Sequence, residues 1–184
     1  MRRQGGFSTR QFVFLLCTLG GLVLLIMYTM GLELITQTEG TKLLAYAKQI
    51  EQANQSFHTK MRAWPHEAID DPSPEHSVLA LVDPTILKGN YAEKGEAILE
   101  AAEVEDDRVI HRFGKGGTIL QSVVKEDGRD YILIIFTNVP VATWEQADEK
   151  EDGRADPFAG RIQTEDDPGQ SPTVTVTYLA NRIK

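Results

Sequence analysis

The side chains best suited to metal binding or proton transfer are four histidines, His58, His66, His76 and His111. Their spacings match no zinc pattern, and the only cysteine, Cys17, lies inside an apolar run where a thiol behaves as a small apolar residue. Gly114-Lys-Gly-Gly-Thr118 is glycine-rich but lacks the spacing of a phosphate loop, so it reads as a connector between strands. There is no Gly-x-Ser-x-Gly elbow and no thiol nucleophile outside that apolar run. Acid pairs abound, yet they fall in loop-like sequence, where solvation is their ordinary role. Nothing in this inventory calls for an enzyme, and the expectation is a protein that binds or builds.

The elements around these residues say more. The chain has 184 residues with 19 Lys+Arg, 27 Asp+Glu and a net charge of −8. That length suits one ordinary domain plus an appendage. The acidic balance argues against a nucleic-acid partner, which needs a basic face for phosphates. A single cysteine rules out an intrachain disulfide. Arg2, Arg3 and Arg10 put +3 ahead of residue 33, which leaves −11 on the remainder. From Phe12 to Leu32 there are 21 residues without a charge, enough for a helix to cross a bilayer. All nearby bases precede this run, so the N-terminus is expected in the cytoplasm and the body outside. The run is too long for a cleaved secretory core, and Tyr28–Leu34 offers no convincing cleavage site.

The residues before the run sharpen this reading. Met1-Arg-Arg-Gln-Gly-Gly6 is followed by Phe7-Ser-Thr-Arg-Gln11-Phe12. A short basic leader ending in Gly, then Phe and a membrane helix, resembles the N-terminus of type IV prepilins and type II secretion pseudopilins. The resemblance implies cleavage between Gly6 and Phe7 by a prepilin peptidase and methylation of the new N-terminal Phe7. It further implies a structural subunit of a pilus or pseudopilus, with the inner membrane and other pilin or pseudopilin subunits as partners. The chain departs from the family at the fifth mature position, which is usually Glu and here is Gln11. The family's carboxylate neutralises a neighbouring subunit's amine, and Gln11 brings no charge. With Arg10 beside it, that favours a minor subunit over the repeating one. The competing expectation is an uncleaved, signal-anchored bitopic protein whose acidic head binds a periplasmic partner.

The apolar pattern continues past the membrane. Leu43, Ala47, Ile50, Asn54, Phe57, Met61 and Trp64 alternate in steps of four and three, the face of one helix. With no proline before Pro65, a single helix from about residue 8 to 63 is expected. The expected fold is therefore α+β and pilin-like: a long N-terminal helix, its first half transmembrane, packed on a small antiparallel β-sheet head. The expected domains are a leader (1–6), the transmembrane half-helix (7–32), the amphipathic half (33–64) and an acidic α+β periplasmic head (65–184). Within the head, Asp83-Pro84 suits a capped helical start, and 93–103 suits a short amphipathic helix. Thr118–Lys125 and Arg129–Phe136 read as a hairpin closed at Asp127-Gly128. Val109–Phe113 and Thr173–Leu179 complete a sheet of three or four strands.

Residues 145–167 hold nine acids and three bases and read as an acidic loop. Because some pseudopilins bind calcium in a C-terminal loop, the resemblance makes Asp148, Asp152, Asp156, Asp166 and Asp167 candidate oxygen ligands for Ca²⁺. The EF-hand pattern itself fails, since Lys150 and Ala159 occupy ligand positions. A solvated loop with no cofactor is the default.

Overall fold

The computed structural model describes residues 39–99, 102–126 and 128–183, together with Thr18, Gly21 and Leu22. The chain divides into two compact units, Met1–Thr38 and Glu39–Lys184, and the sheet and its packed helices belong to the second. The expected transmembrane segment falls almost wholly outside the described residues. Among the described residues no helix is long and apolar enough to cross a membrane.

Helix α1 occupies described residues 39–61. The residues on its apolar stripe are all buried, with Ile50, Asn54 and Phe57 at 0% exposure. One stripe member is polar. Asn54 Nδ2 donates to Ile50 C=O at 3.0 Å and to Gln121 Oε1 at 2.9 Å, which pins the helix in register on the sheet. The helix ends at Arg62, whose left-handed φ of 58° lets its N–H return to His58 C=O at 2.8 Å. Trp64, the last residue of the sequence pattern, lies beyond the helix. It is buried and stacks on His58 with ring centroids 4.3 Å apart.

The connector uses short helical pieces: a 3₁₀ turn at Pro65–Glu67, helix α2 at Pro74–Leu79, and 3₁₀ turns at Pro84–Ile86 and Gly89–Lys94. Asp83 caps the third as its sequence suggests, accepting from Thr85 N–H at 2.8 Å. Among the described residues of 93–103 the expected helix does not form. Gly95 is extended (φ −66°, ψ 135°), and the N–H groups of Ile98 and Leu99 both go to Leu81 C=O. Leu99 thereby enters the core in an irregular segment.

Among the described residues the sheet has six strands, not three or four. They are β1 (Glu103–Glu105), β2 (Arg108–His111), β3 (Gly117–Glu126), β4 (Arg129–Pro140), β5 (Ile162–Thr164) and β6 (Thr173–Arg182). Their order is β1-β2-β3-β4-β6-β5, and every neighbouring pair is antiparallel. The β3–β4 hairpin closes on the pair Glu126–Arg129, with Gly128 at φ +74° in the turn as its sequence predicts. The two extra strands are three-residue edges, too short to show a period.

The larger correction is helix α3, Val141–Asp152, in the segment read as an acidic loop. Only Thr143, Trp144, Ala147 and Asp148 are buried on it, and the rest is mostly charged and solvated. Gly153 ends it in the left-handed conformation, φ +81°. Helices α1 and α3 cross closely at Gly40. A Cβ there would sit 3.0 Å from Thr143 C=O and 3.1 Å from the Ala147 nitrogen. The absence of a side chain is what lets the two backbones meet.

Candidate functional site

The polar groups of this unit gather where α1, α3, β5 and β6 converge. Tyr178 on β6 donates its hydroxyl to Glu51 Oε2 on α1 at 2.8 Å. Arg161, just before β5, donates to Glu51 Oε1 at 2.9 Å and to Glu151 Oε1 on α3 at 3.2 Å. Its Nε reaches Leu179 C=O at 3.1 Å, and its guanidinium lies 4.7 Å from the Tyr178 ring centroid. Lys48 closes the circuit on Glu151 Oε2 at 2.6 Å. Burial and the Glu51 carboxylate push the Tyr178 phenol well above its ordinary range. A phenol held protonated beside a saturated carboxylate is a clasp, not a catalytic base. Its effect is to tie the helix to the last two strands.

Below the clasp, the acids of α3 fold the segment that follows. Asp148 is fully buried, and its Oδ2 accepts from Asp156 N–H at 2.7 Å. Asp152 Oδ2 accepts from Arg161 N–H at 2.8 Å and Ile162 N–H at 3.0 Å. Gly160, at φ +96°, is required there, because a Cβ would lie 2.4 Å from that carboxylate oxygen. Asp156 Oδ1 accepts from Phe158 N–H at 3.2 Å. These carboxylates act as acceptors for backbone donors that would otherwise be unpaired. Asp148 Oδ1 has no partner among the described residues. Burial above all, with the neighbouring carboxylates of Asp152 and Asp156, pushes the Asp148 carboxyl up to about 7; the Asp156 N–H pulls the other way.

The five aspartates of the calcium expectation therefore split. Asp148, Asp152 and Asp156 gather behind α3. Asp166 accepts from Thr175 N–H on β6, while Asp167 accepts from Gly169 N–H at 2.9 Å and Gln170 Nε2 at 2.7 Å. Among the described residues no group of three or more His, Cys, Asp or Glu side chains is arranged to hold a metal ion.

The histidines are dispersed. His76 Nδ1 contacts Asp71 at 2.9 Å, His111 Nε2 contacts Thr137 C=O at 2.8 Å, and His66 is half-buried with its pKa lowered by burial. His111 is also lowered, first by burial and against the pull of its Thr137 contact. It packs among Phe113 and Phe136 as a core aromatic. Gly117 makes room for it, since a Cβ there would lie 2.3 Å from the imidazole. Gly114–Gly116 connects β2 to β3, as read from sequence.

On the sheet face away from α1, Val124, Leu133, Thr177 and Leu179 floor a groove of about 540 Å³ walled by Pro157 and Phe158. Phe158 is 75% exposed, a large apolar surface for a loop residue.

The processing and assembly residues, Gly6, Phe7 and Gln11, lie outside the described residues. The clasp and α3 are what the sequence reading missed. Pro140 before and Gly153 after, with Trp144 and Ala147 three apart, were the available signals for α3. Glu51 and Arg161 are 110 residues apart and gave none. Compared with protein-family models, with curated proteins and with solved structures, the chain matches none of them.

Proposed function

We propose that this chain is a minor pilin or pseudopilin, a structural subunit of a type IV pilus or type II secretion pseudopilus. The observation that carries the reading is the start of the sequence, Gly6-Phe7 after a basic leader and before the uncharged run Phe12–Leu32. A prepilin peptidase cuts between Gly6 and Phe7 and methylates Phe7. The run anchors the subunit in the inner membrane, with the N-terminus cytoplasmic and the head periplasmic. On assembly the subunit exchanges lipid contacts for helix–helix contacts with other subunits. Its role is mechanical, without catalysis.

The fold supports this reading in one respect. Helix α1 buries its whole stripe against an antiparallel sheet, the helix-on-sheet layer such a head requires. The clasp and the α1–α3 crossing at Gly40 make that helix a fixed part of the head, able to carry force into it. Gln11 in place of the usual Glu assigns the chain to low-copy positions.

The alternative is an uncleaved bitopic protein with a partner-binding head, and Gln11 is the observation that favours it. Co-expression with a prepilin peptidase separates the two. A shorter product that Gly6→Val abolishes supports the subunit. A chain that keeps its leader under those conditions leaves the bitopic protein.

A further inference from the structure

Strand β3 runs from Gly117 to Glu126, but β2 accompanies only Gly117–Ile119. On the other side β4 accompanies Ile119–Glu126. Beyond Ile119, no strand pairs with the β2 side of β3 among the described residues. Helix α2 packs against β3 and Gln121 is buried to 1% exposure, so the exposed residues on this stretch are Val123, Lys125 and Glu126, with Ser122 and Val124 half-buried between them.

The ladder fixes where its backbone groups point. Ile183 N–H donates to Asp130 C=O, so the Asp130 carbonyl faces β6. Alternation turns Arg129 and Tyr131 toward β3, where they pair with Glu126 and Val124. Val123 and Lys125 must then direct N–H and C=O outward, away from β4. Among the described residues no backbone hydrogen bond reaches either from that side. Val123, a β-branched residue, is 43% exposed there. Unpaired donors and acceptors in strand geometry are complementary to another strand.

We propose that this edge is a homotypic interface, in which β3 of a second copy adds antiparallel about a two-fold axis at Val124. The stretch is self-complementary in that register. Val123 faces Lys125 of the second copy, Ser122 faces Glu126, and Val124 faces Val124, so no like charges lie opposite. Val123 and Lys125 each offer one donor and one acceptor, giving about four backbone hydrogen bonds across the axis. A lysine on a free edge ordinarily discourages pairing. Here its aliphatic stem would lie along the exposed Val123 of the other copy. The contact is isologous and closes as a dimer instead of propagating. It stands independently of the proposed subunit role.

The test uses the full chain in detergent with Cys17→Ser and a single new cysteine. Val124 would form a non-hydrogen-bonded pair across the axis, with Cα atoms about 4.5 Å apart, inside the range for a disulfide. Mild oxidation of Val124→Cys should give a cross-linked dimer at least tenfold more abundant than Thr175→Cys on β6, and more of it as salt screens the acidic heads. Adding Val123→Pro should remove the dimer while circular dichroism stays unchanged, because that N–H is unused within the fold. If Val123→Pro unfolds the chain, Val123→Lys should remove the dimer by facing Lys125 with a like charge. Equal cross-linking at Thr175→Cys, persistence in the Val123 variant that folds, or no dimer at Val124→Cys would each overturn the interface.

Discussion

Asp148→Asn should stabilise the fold at alkaline pH and lose that advantage at acid pH. In the folded chain the Asp148 carboxyl is displaced from 3.8 up to about 7 by burial and the neighbouring Asp152 and Asp156. A folded-state pKa above the unfolded value means the native state holds the proton more tightly. Its cost is therefore absent below about pH 4, grows as pH rises toward 7, and is constant above. The full displacement sets an upper bound of roughly 4 kcal/mol, and relaxation and the coupled titration of the neighbouring carboxylates reduce that to about 1–3 kcal/mol. Asparagine needs no proton. Its amide N–H₂ can donate to Asp152 while its oxygen still accepts from Asp156 N–H, the bond now 2.7 Å long. Urea unfolding of the full chain in detergent, wild type against Asp148→Asn, reads the difference directly. At pH 8 the variant should be more stable by about 1–3 kcal/mol, and at pH 4 equal or slightly less stable. A variant destabilised at pH 8, or a difference that does not vary with pH, would refute the raised Asp148 carboxyl.

Three further outcomes come from the geometry. Gly40→Ala gains helix propensity but forces α1 off α3, because its Cβ meets the Gln146 Cβ at 2.7 Å; a net loss of about 1–2 kcal/mol is expected by thermal or urea unfolding. Arg62→Gly should raise stability by about 0.5–1 kcal/mol in the same assay, since φ 58° strains any residue with a Cβ and the arginine side chain is exposed. Because Asp166 and Asp167 are engaged away from Asp148, Asp152 and Asp156, millimolar calcium should leave the melting temperature unchanged, and a calcium-dependent rise would show that the five come together after all.

The parts of the fold legible in sequence are those with a strong local period or a specific turn. The stripe from Leu43 to Trp64 states its burial through alternating steps of four and three. The hairpin is announced by β-branched runs on either side of Asp127-Gly128. Helix α3 escaped because charge composition outvoted pattern: its core contact rests on four residues, and its many acids look like solvated loop. Those acids proved to be acceptors for the backbone of 156–162, a role that depends on the chain turning back through Gly160. The edge strands β1 and β5 are held by pairing to their neighbours, which three residues cannot signal on their own. The clasp joins residues more than a hundred positions apart and is invisible until the sheet order is known.

The most direct measurement of the central claim is the intact mass of the chain after co-expression with a prepilin peptidase. The subunit reading predicts a mass lower by Met1–Gly6 and higher by one methyl group, with fragmentation placing that methyl on the Phe7 nitrogen. A full-length, unmethylated chain beside a processed control prepilin would contradict it.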